Sequence, residues 1–379
     1  MNTFKKELRQ ELIQSQGNNF GRENFDEHSF GEMVKNKQSP TNLLYQVKQV
    51  VKKVIRYKKM ALKKNADTSV ENKLVEIKSY ENGLEYLFQN VNPGSRELLI
   101  KLVAYRALGY TKVKLPFNNS KYWESLELVK TLKYGTEKYD PHFMHFILEK
   151  FDLSPIGYNI KMFFSEVGIA IDFVAEQYAY KIGDSVIVQA ERNDIILDIG
   201  GCWGDTALYF ADKVGSSGRV YSFEFIPENM KLHKINCSLN SILKERIELV
   251  TKPVSDISGI QIYFLDNGPG SKIELRAFEG QTGSATTVSI DDFIKQNEIK
   301  KVDFIKMDIE GAEQAALRGA LETIKKFRPK LAIAIYHSME DFINIPRWIL
   351  SLNLGYELYI GHYTIHAEET ICFAKSIAK

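Results

Sequence analysis

The chain has 379 residues, 44% of them hydrophobic, with a formal net charge of +2. That length exceeds one ordinary hydrophobic core, so two domains are expected, and the near-neutral charge predicts no general attraction to nucleic acid or membrane. The three cysteines, Cys202, Cys237 and Cys372, are too scattered for a disulfide framework or a zinc site, which predicts a reducing, cytoplasmic setting.

The N-terminal MNTFKKELRQELIQ lacks an apolar core of the secretory kind, and no segment approaches the roughly 18 apolar residues of a membrane span. Between Thr41 and Ala66 eight lysines and arginines occur with no acid, and Leu43, Val47, Val50, Val51, Val54 and Ile55 recur at helical spacing. This basic helix over 43–64 packs its valines on a core and solvates its lysines, or lies peripherally on an anionic membrane. Helical patterns continue from Asn72 to Tyr134. Asn92–Gly94 breaks them, Ser95 is placed to cap a helix over Glu97–Leu108, and Gly109 ends it. Thr111–Leu115 reads as a short strand. Aromatics then gather from Tyr122 to Phe164, mostly as core, without catalytic spacing. The expected division is a helical accessory region over 1–157 and a second domain over 158–379.

In the second domain Gly168–Gln177 reads as helix and Tyr178–Val188 as a hairpin turning at Gly183-Asp184. Strands and helices then alternate: strand 195–199, helix 205–213, strand 219–224, helix 227–240, strand 246–251. Antiparallel strands follow at 260–265 and 286–289, then helix 290–297, strand 302–307, helix 311–326 and strand 330–336, with 356–360 and 370–374 as an antiparallel edge. Such alternation predicts an α/β fold with a doubly wound, Rossmann-like parallel sheet. The loop Asp266–Ser271 (DNGPGS) and the stretch Phe278–Ala285 are expected at the rim of a site, where loops carry specificity.

The decisive segment is Asp194–Gly204, DIILDIGGCWG. Ile195-Ile196-Leu197 reads as a buried strand, and Gly200, Gly201 and Gly204 let the following turn approach a ligand closely. Ile199 occupies the position where a dinucleotide G-x-G-x-x-G needs glycine, so a nicotinamide fingerprint fails. Asp198-x-Gly200-x-x-x-Gly204 instead suits S-adenosylmethionine (SAM), which carries an ammonium and no pyrophosphate. Glu224, near the end of the next strand, can accept hydrogen bonds from both ribose hydroxyls. Ser255 and Asp256, after the third strand, are the candidates to face the adenine amine.

Ile305–Glu313, IKMDIEGAE, followed by Arg328–His337, RPKLAIAIYH, resembles the FkbM family of SAM-dependent methyltransferases, and the likeness extends over about 195–374. It implies a class I methyltransferase sheet and an O-methyltransferase whose acceptor is a hydroxyl of a sugar, glycan or similar polyhydroxylated molecule. It also implies an accessory region that shapes the acceptor site or a homo-oligomer interface. An N-methyltransferase shares fold and cofactor, although no N/D-P-P-Y motif is present. A SAM-binding protein without catalysis is the third reading.

Chemistry assigns the remaining roles. An alcohol needs a base or a metal to take or weaken its proton. Asp308 ends a buried strand at the carboxyl edge of the sheet, and His337 and His362 end the next two, so His337, Asp308 and His362 are the catalytic candidates, His337 first among the histidines as base. Asp308, Glu310 and Glu313 could together bind Mg²⁺, while charge placement at a helix N-terminus equally explains the two glutamates. Lys306, on the same strand face as Asp308, could orient an acid or the cofactor carboxylate.

Overall fold

The computed structural model describes residues 3–27 and 70–377. The basic stretch 43–64 lies outside them, and among the described residues no helix is long and apolar enough to cross a membrane. The chain divides into two compact units, one of 1–89, 96–118 and 365–367, the other of 90–95, 119–364 and 368–379.

The first unit is helical. Thr3–Gln16 buries Phe4, Leu8 and Leu12, one side chain per helical turn, and Phe4 meets Phe88 edge-on at 5.9 Å. The strand expected at Thr111–Leu115 does not form. The carbonyls of Tyr110, Lys112 and Val113 are taken by the side-chain amides of Asn18 and Asn24, which leaves them no neighbouring strand to pair with. The helix expected from Glu97 begins earlier, at Pro93, and its cap is Asn92, whose Oδ1 accepts the Ser95 N–H at 3.2 Å. The Ser95 hydroxyl is spent elsewhere, accepting the Ile360 N–H at 2.8 Å.

The second unit starts well before residue 158. Strands β1 (Lys133–Tyr139), β2 (Leu148–Asp152) and β3 (Lys161–Phe164) form an antiparallel sheet where the sequence predicts helix as far as Tyr134 and core aromatics beyond it, with no strands. The hairpin β4 (Tyr180–Ile182) and β5 (Ser185–Val188) turns at Gly183 with φ +57°, as its sequence predicts. Seven strands then build the main sheet: β6 (Ile195–Ile199), β7 (Arg219–Phe223), β8 (Ile247–Val250), β12 (Phe304–Met307), β13 (Lys330–Ala334), β14 (Tyr356–His362) and β15 (Thr370–Ser376). Their order is β14-β15-β13-β12-β6-β7-β8, parallel from β13 to β8 and antiparallel where β15 joins β13 and β14. β6, β12 and β13 are nearly or wholly buried, which explains why they are apolar apart from one charged residue each, Asp198, Lys306 and Lys330.

Between β8 and β12 the chain makes a small antiparallel sheet of β9 (Gln261–Leu265), β10 (Lys272–Glu274) and β11 (Gly283–Thr286). β11 falls three residues before its expected place because Ser289 is needed as the cap of the helix Ile290–Gln296. The single helix expected over 311–326 is two, Glu313–Arg318 and Leu321–Phe327. They part at Gly319, where a β-carbon would stand 2.2 Å from the Ser255 carbonyl.

Candidate active site

From β6 the chain passes to β7 on one side and later returns as β12 on the other, so the topological switch lies between β6 and β12. Open α/β sheets bind ligands at that crevice. Gly200 follows β6 with φ +90°, and its N–H and that of Gly201 both reach the Phe223 carbonyl, at 3.0 and 2.8 Å. Gly204, φ +84°, admits the turn into the helix Asp205–Val214 beside the His233 ring. Asp198 is wholly buried beneath this turn. It accepts from Thr206 at 2.9 and 3.0 Å and Ser222 at 2.9 Å, and pairs with Lys306 at 3.2 Å. Lys306 also donates to the Gly200 carbonyl at 2.6 Å. Asp198 and Lys306 therefore lock the loop from below.

A cleft of about 280 Å³ opens above it. Gly200 and Cys202 form one wall, Glu224, Ile226 and Asn229 the next, Pro253, Val254 and Ser255 a third, and Asp308 and Glu310 the far side. Glu224 is almost buried, and Oε1 accepts the Phe225 and Ile226 N–H groups at 2.7 Å each. Asn229 donates to Oε2 at 3.2 Å while its own oxygen accepts from the Trp203 indole at 3.1 Å. Burial raises the Glu224 carboxyl to about 7 even though those donors stabilise its anion.

At the far side acids surround one imidazole. Asp308 accepts from the Tyr336 hydroxyl at 3.1 and 3.3 Å and from Tyr178 at 3.4 Å. His337 places Nε2 3.5 Å from both Asp308 and Glu310, and Nδ1 3.3 Å from Glu313. Carboxylates thus face both ring nitrogens. Burial by itself would lower the His337 pKa, but contact with Glu313 and the charges of Asp308, Glu313 and Glu310 prevail and raise it to about 9. Glu310, at φ +56° and lining the cleft, is raised to about 7 by burial and then by Asp308. Glu313 is fully buried and its Oε1 accepts the Ile309 N–H at 2.7 Å, closing the turn between β12 and the next helix.

The family model of the Methyltransferase FkbM domain matches residues 188–358, the span that contains both walls of this cleft. The chain carries an FkbM methyltransferase domain. An FkbM methyltransferase from Methylobacillus flagellatus superposes with a TM-score of 0.50 at 17% identity, over 81% of this chain and 61% of that one. The chain thus spans about three fifths of that relative's length. Fibrillarin from Aeropyrum pernix, in complex with natively bound SAM, gives a TM-score of 0.33 at 16% identity over 60% and 88% of the two chains. A SAM-dependent O-methyltransferase from Thermotoga maritima gives 0.30 at 15% identity over 50% and 62%. None of the curated proteins compared with the sequence matched it.

The FkbM domain brings Gly200, Glu224, Ser255, Asp308 and Glu310 to one cleft. Other residues read from the sequence stand elsewhere. Asp198 and Gly204 support the loop without lining the cleft, and Asp256 turns outward to Arg318 at 3.2 Å. His362 is buried in β14, its Nδ1 2.9 Å from the Thr370 hydroxyl, away from the lining. His337 is at the site, but an imidazole held at about 9 is already protonated at neutral pH, so it is a fixed cation there and not a base. The Mg²⁺ set also differs from expectation. The atoms that come within 4.8 Å of one another belong to Asp308, Glu313 and His337, with Glu310 outside the set. A nitrogen donor does not suit a hard, oxygen-seeking ion, and the ring's placement between carboxylates makes imidazolium the resident cation. The residues therefore do not fit Mg²⁺. Of the expected rim, Gly268, Pro269 and Ser271 line the cleft; Phe278–Ala285 gives way to Ile273 and Leu275. Sequence reading missed Asn229, Trp203, Tyr178 and Tyr336, which act through a carboxylate and follow no motif of their own.

Proposed function

We propose that the chain is a SAM-dependent O-methyltransferase acting on a hydroxyl of a sugar, glycan or similar polyhydroxylated acceptor. The observation that carries this is the shared cleft. Glu224 stands at one end, suited to a ribose diol, and the half-exposed Glu310, titrating near 7, stands at the other beside Asp308. Val254, Pro253 and Ile226 offer apolar surface to an adenine, with Ser255 beside them. Bound SAM would supply an electrophilic methyl on a sulfonium. Asp308 has its oxygens occupied by two tyrosine hydroxyls and the His337 cation; burial raises its carboxyl, while the charges of Lys306 and His337 favour its anion. Glu310 is the base. Its carboxylate would take the acceptor's hydroxyl proton as that oxygen accepts the methyl, which bound SAM would supply, leaving as S-adenosylhomocysteine. A base whose pKa lies near the working pH is the efficient one. The sugar rests on the family likeness, and the cytoplasmic setting is supported by three cysteines without a disulfide.

Calorimetric titration with SAM and with NADPH tests the class. Micromolar binding of SAM with no response to NADPH supports it and opens a screen of nucleotide sugars and glycans for methyl incorporation. Absence of SAM binding by the folded protein would overturn it.

A further inference from the structure

The turn that joins β1 to β2, Asp140–Ile147 (DPHFMHFI), takes no part in the reaction above and precedes the span matched by the family model. Phe146 stacks on Phe143, with centroids 6.0 Å and planes 19° apart, and on His145 at 4.9 Å and 26°. The Phe146 N–H closes the turn on the Phe143 carbonyl at 3.2 Å. One end of this column of rings rests on the rim of the cleft. A β-carbon on Gly268 would stand 3.3 Å from Phe143 Cβ, and one on Gly270 3.1 Å from the Phe143 ring, so the two glycines let the loops lie together this closely. Gly268, Pro269 and Ser271 also line the cleft. The other end of the column, His145, is exposed, as are Met144 and Ile147 at 62% and 52%.

This presentation has a backbone cost. His142 and Met144 flank Phe143 at φ +53° and +50°, left-handed conformations that side chains with a β-carbon resist. Strain of this kind collects at ligand sites. In the same turn Asp140 accepts the His142 N–H at 2.8 Å and lies 3.4 Å from its Nδ1, so a carboxylate and an imidazole are held together near the rings. Aromatic rings with hydrogen-bonding groups beside them fit a sugar, which has a C–H face and a rim of hydroxyls. The Asp140 carboxylate repels the phosphate of a nucleotide, and an acyl chain leaves the Asp140–His142 pair unused.

We propose that the Asp140–Ile147 turn is a second acceptor subsite. The stack of His145, Phe146 and Phe143 holds a non-reacting sugar ring while another ring of the same molecule presents its hydroxyl to Glu310. The acceptor is then a glycan of two or more rings and not a free monosaccharide. This inference rests on the glycan reading above.

The test places the whole chain, saturated with S-adenosylhomocysteine, on an immobilised array of mono- and oligosaccharides, and follows methyl transfer from labelled SAM to the same sugars. The wild type is compared with Phe146→Leu, which keeps apolar bulk without the ring, with His145→Ala at the exposed end, and with Phe146→Tyr; thermal melts verify folding. The wild type is expected to hold glycans of two or more rings at least about tenfold tighter than the matching single sugars. Phe146→Leu and His145→Ala should each raise KM for those glycans about tenfold with kcat little changed, whereas Phe146→Tyr should keep the wild-type KM. S-adenosylhomocysteine affinity should be the same in every variant. Single sugars held and methylated as well as their oligomers, or ring-deleted variants with the wild-type KM, would overturn the subsite and leave the glycan reading standing. If no sugar is held or methylated while S-adenosylhomocysteine still binds, the glycan reading itself has failed, and this inference with it.

Discussion

Gly200 and Asp308 meet across the seam between β6 and β12 so closely that a β-carbon on Gly200 would stand 1.9 Å from the Asp308 carbonyl oxygen. The contact joins the loop that faces one half of the cleft to the residue that faces the other. It explains why the position is glycine independently of the positive φ. In Gly200→Ala one of the two backbones must retreat, and the register of the cleft walls changes. We expect loss of measurable SAM binding in calorimetry with a lowered melting temperature. An alanine variant that binds SAM as the wild type does would show that the seam is not part of the cofactor site.

Glu224 is fixed by a relay from the Trp203 indole through Asn229. Replacing Glu224 with Ala should weaken SAM at least about tenfold, since hydrogen bonds to a charged group are worth about 1.5–3 kcal/mol. Asn229→Leu should cost less, because the two backbone N–H donors to Oε1 remain. Titration of both variants with SAM measures the order. Equal affinity across all three proteins would move the ribose site away from β7.

The pH dependence follows from two neighbours. With Glu310 as base, kcat/KM should rise with pH through about 7, the region to which burial and then the Asp308 charge raise this carboxyl. Glu310→Gln should reduce the rate about a hundredfold or more. His337→Asn removes the cation 3.5 Å from Glu310, so the acid limb should move to higher pH. An unmoved limb would mean that His337 does not act on the base. The fold stability should respond with the same sign. Because the folded pKa of His337 is raised, its contribution is fully present below about 6.5 and is lost as pH rises through about 9. Chemical denaturation between those values should show the wild type losing stability that His337→Asn never had.

The metal question has a direct test. Imidazolium facing Asp308, Glu310 and Glu313 already supplies positive charge to the acids. Exhaustive treatment with a chelator is therefore expected to leave methyl transfer unchanged, and added Mg²⁺ to do nothing. A rate abolished by chelator and restored by metal would overturn the assignment of His337 as the resident cation.

Much of this architecture is legible in the sequence because its signals are local. Ile195–Ile199 and Phe304–Met307 are apolar but for one residue each, Asp198 and Lys306, and are followed by glycine or acid, as strands buried on both faces read. Lys133–Tyr139, KYGTEKY, is exposed along nearly its whole length, so it carries no apolar alternation and its pairing with β2 leaves no periodic mark. The charge on His337 is illegible for another reason. Its carboxylates come from the turn after β12, and only the fold encloses the ring among them. The same holds for Asp198, which reads as a ligand contact from its place before the glycines but spends its oxygens on Thr206, Ser222 and Lys306.

Lys306 makes the last point testable. It is 2% exposed and touches the wholly buried Asp198 at 3.2 Å, while its charge also acts on Asp308. Burial works against the charged amine, but Asp198, Asp308 and Asp205 together prevail and raise its pKa, so it is a cation at neutral pH. Lys306→Met keeps the apolar stem and leaves Asp198 as an unpaired buried acid, which should cost about 3–5 kcal/mol in urea unfolding. The double variant with Asp198→Asn should recover part of that loss, because no buried charge is then stranded. If Lys306→Met costs less than about 1 kcal/mol, the pair is solvated and the loop is held by Thr206 and Ser222 instead.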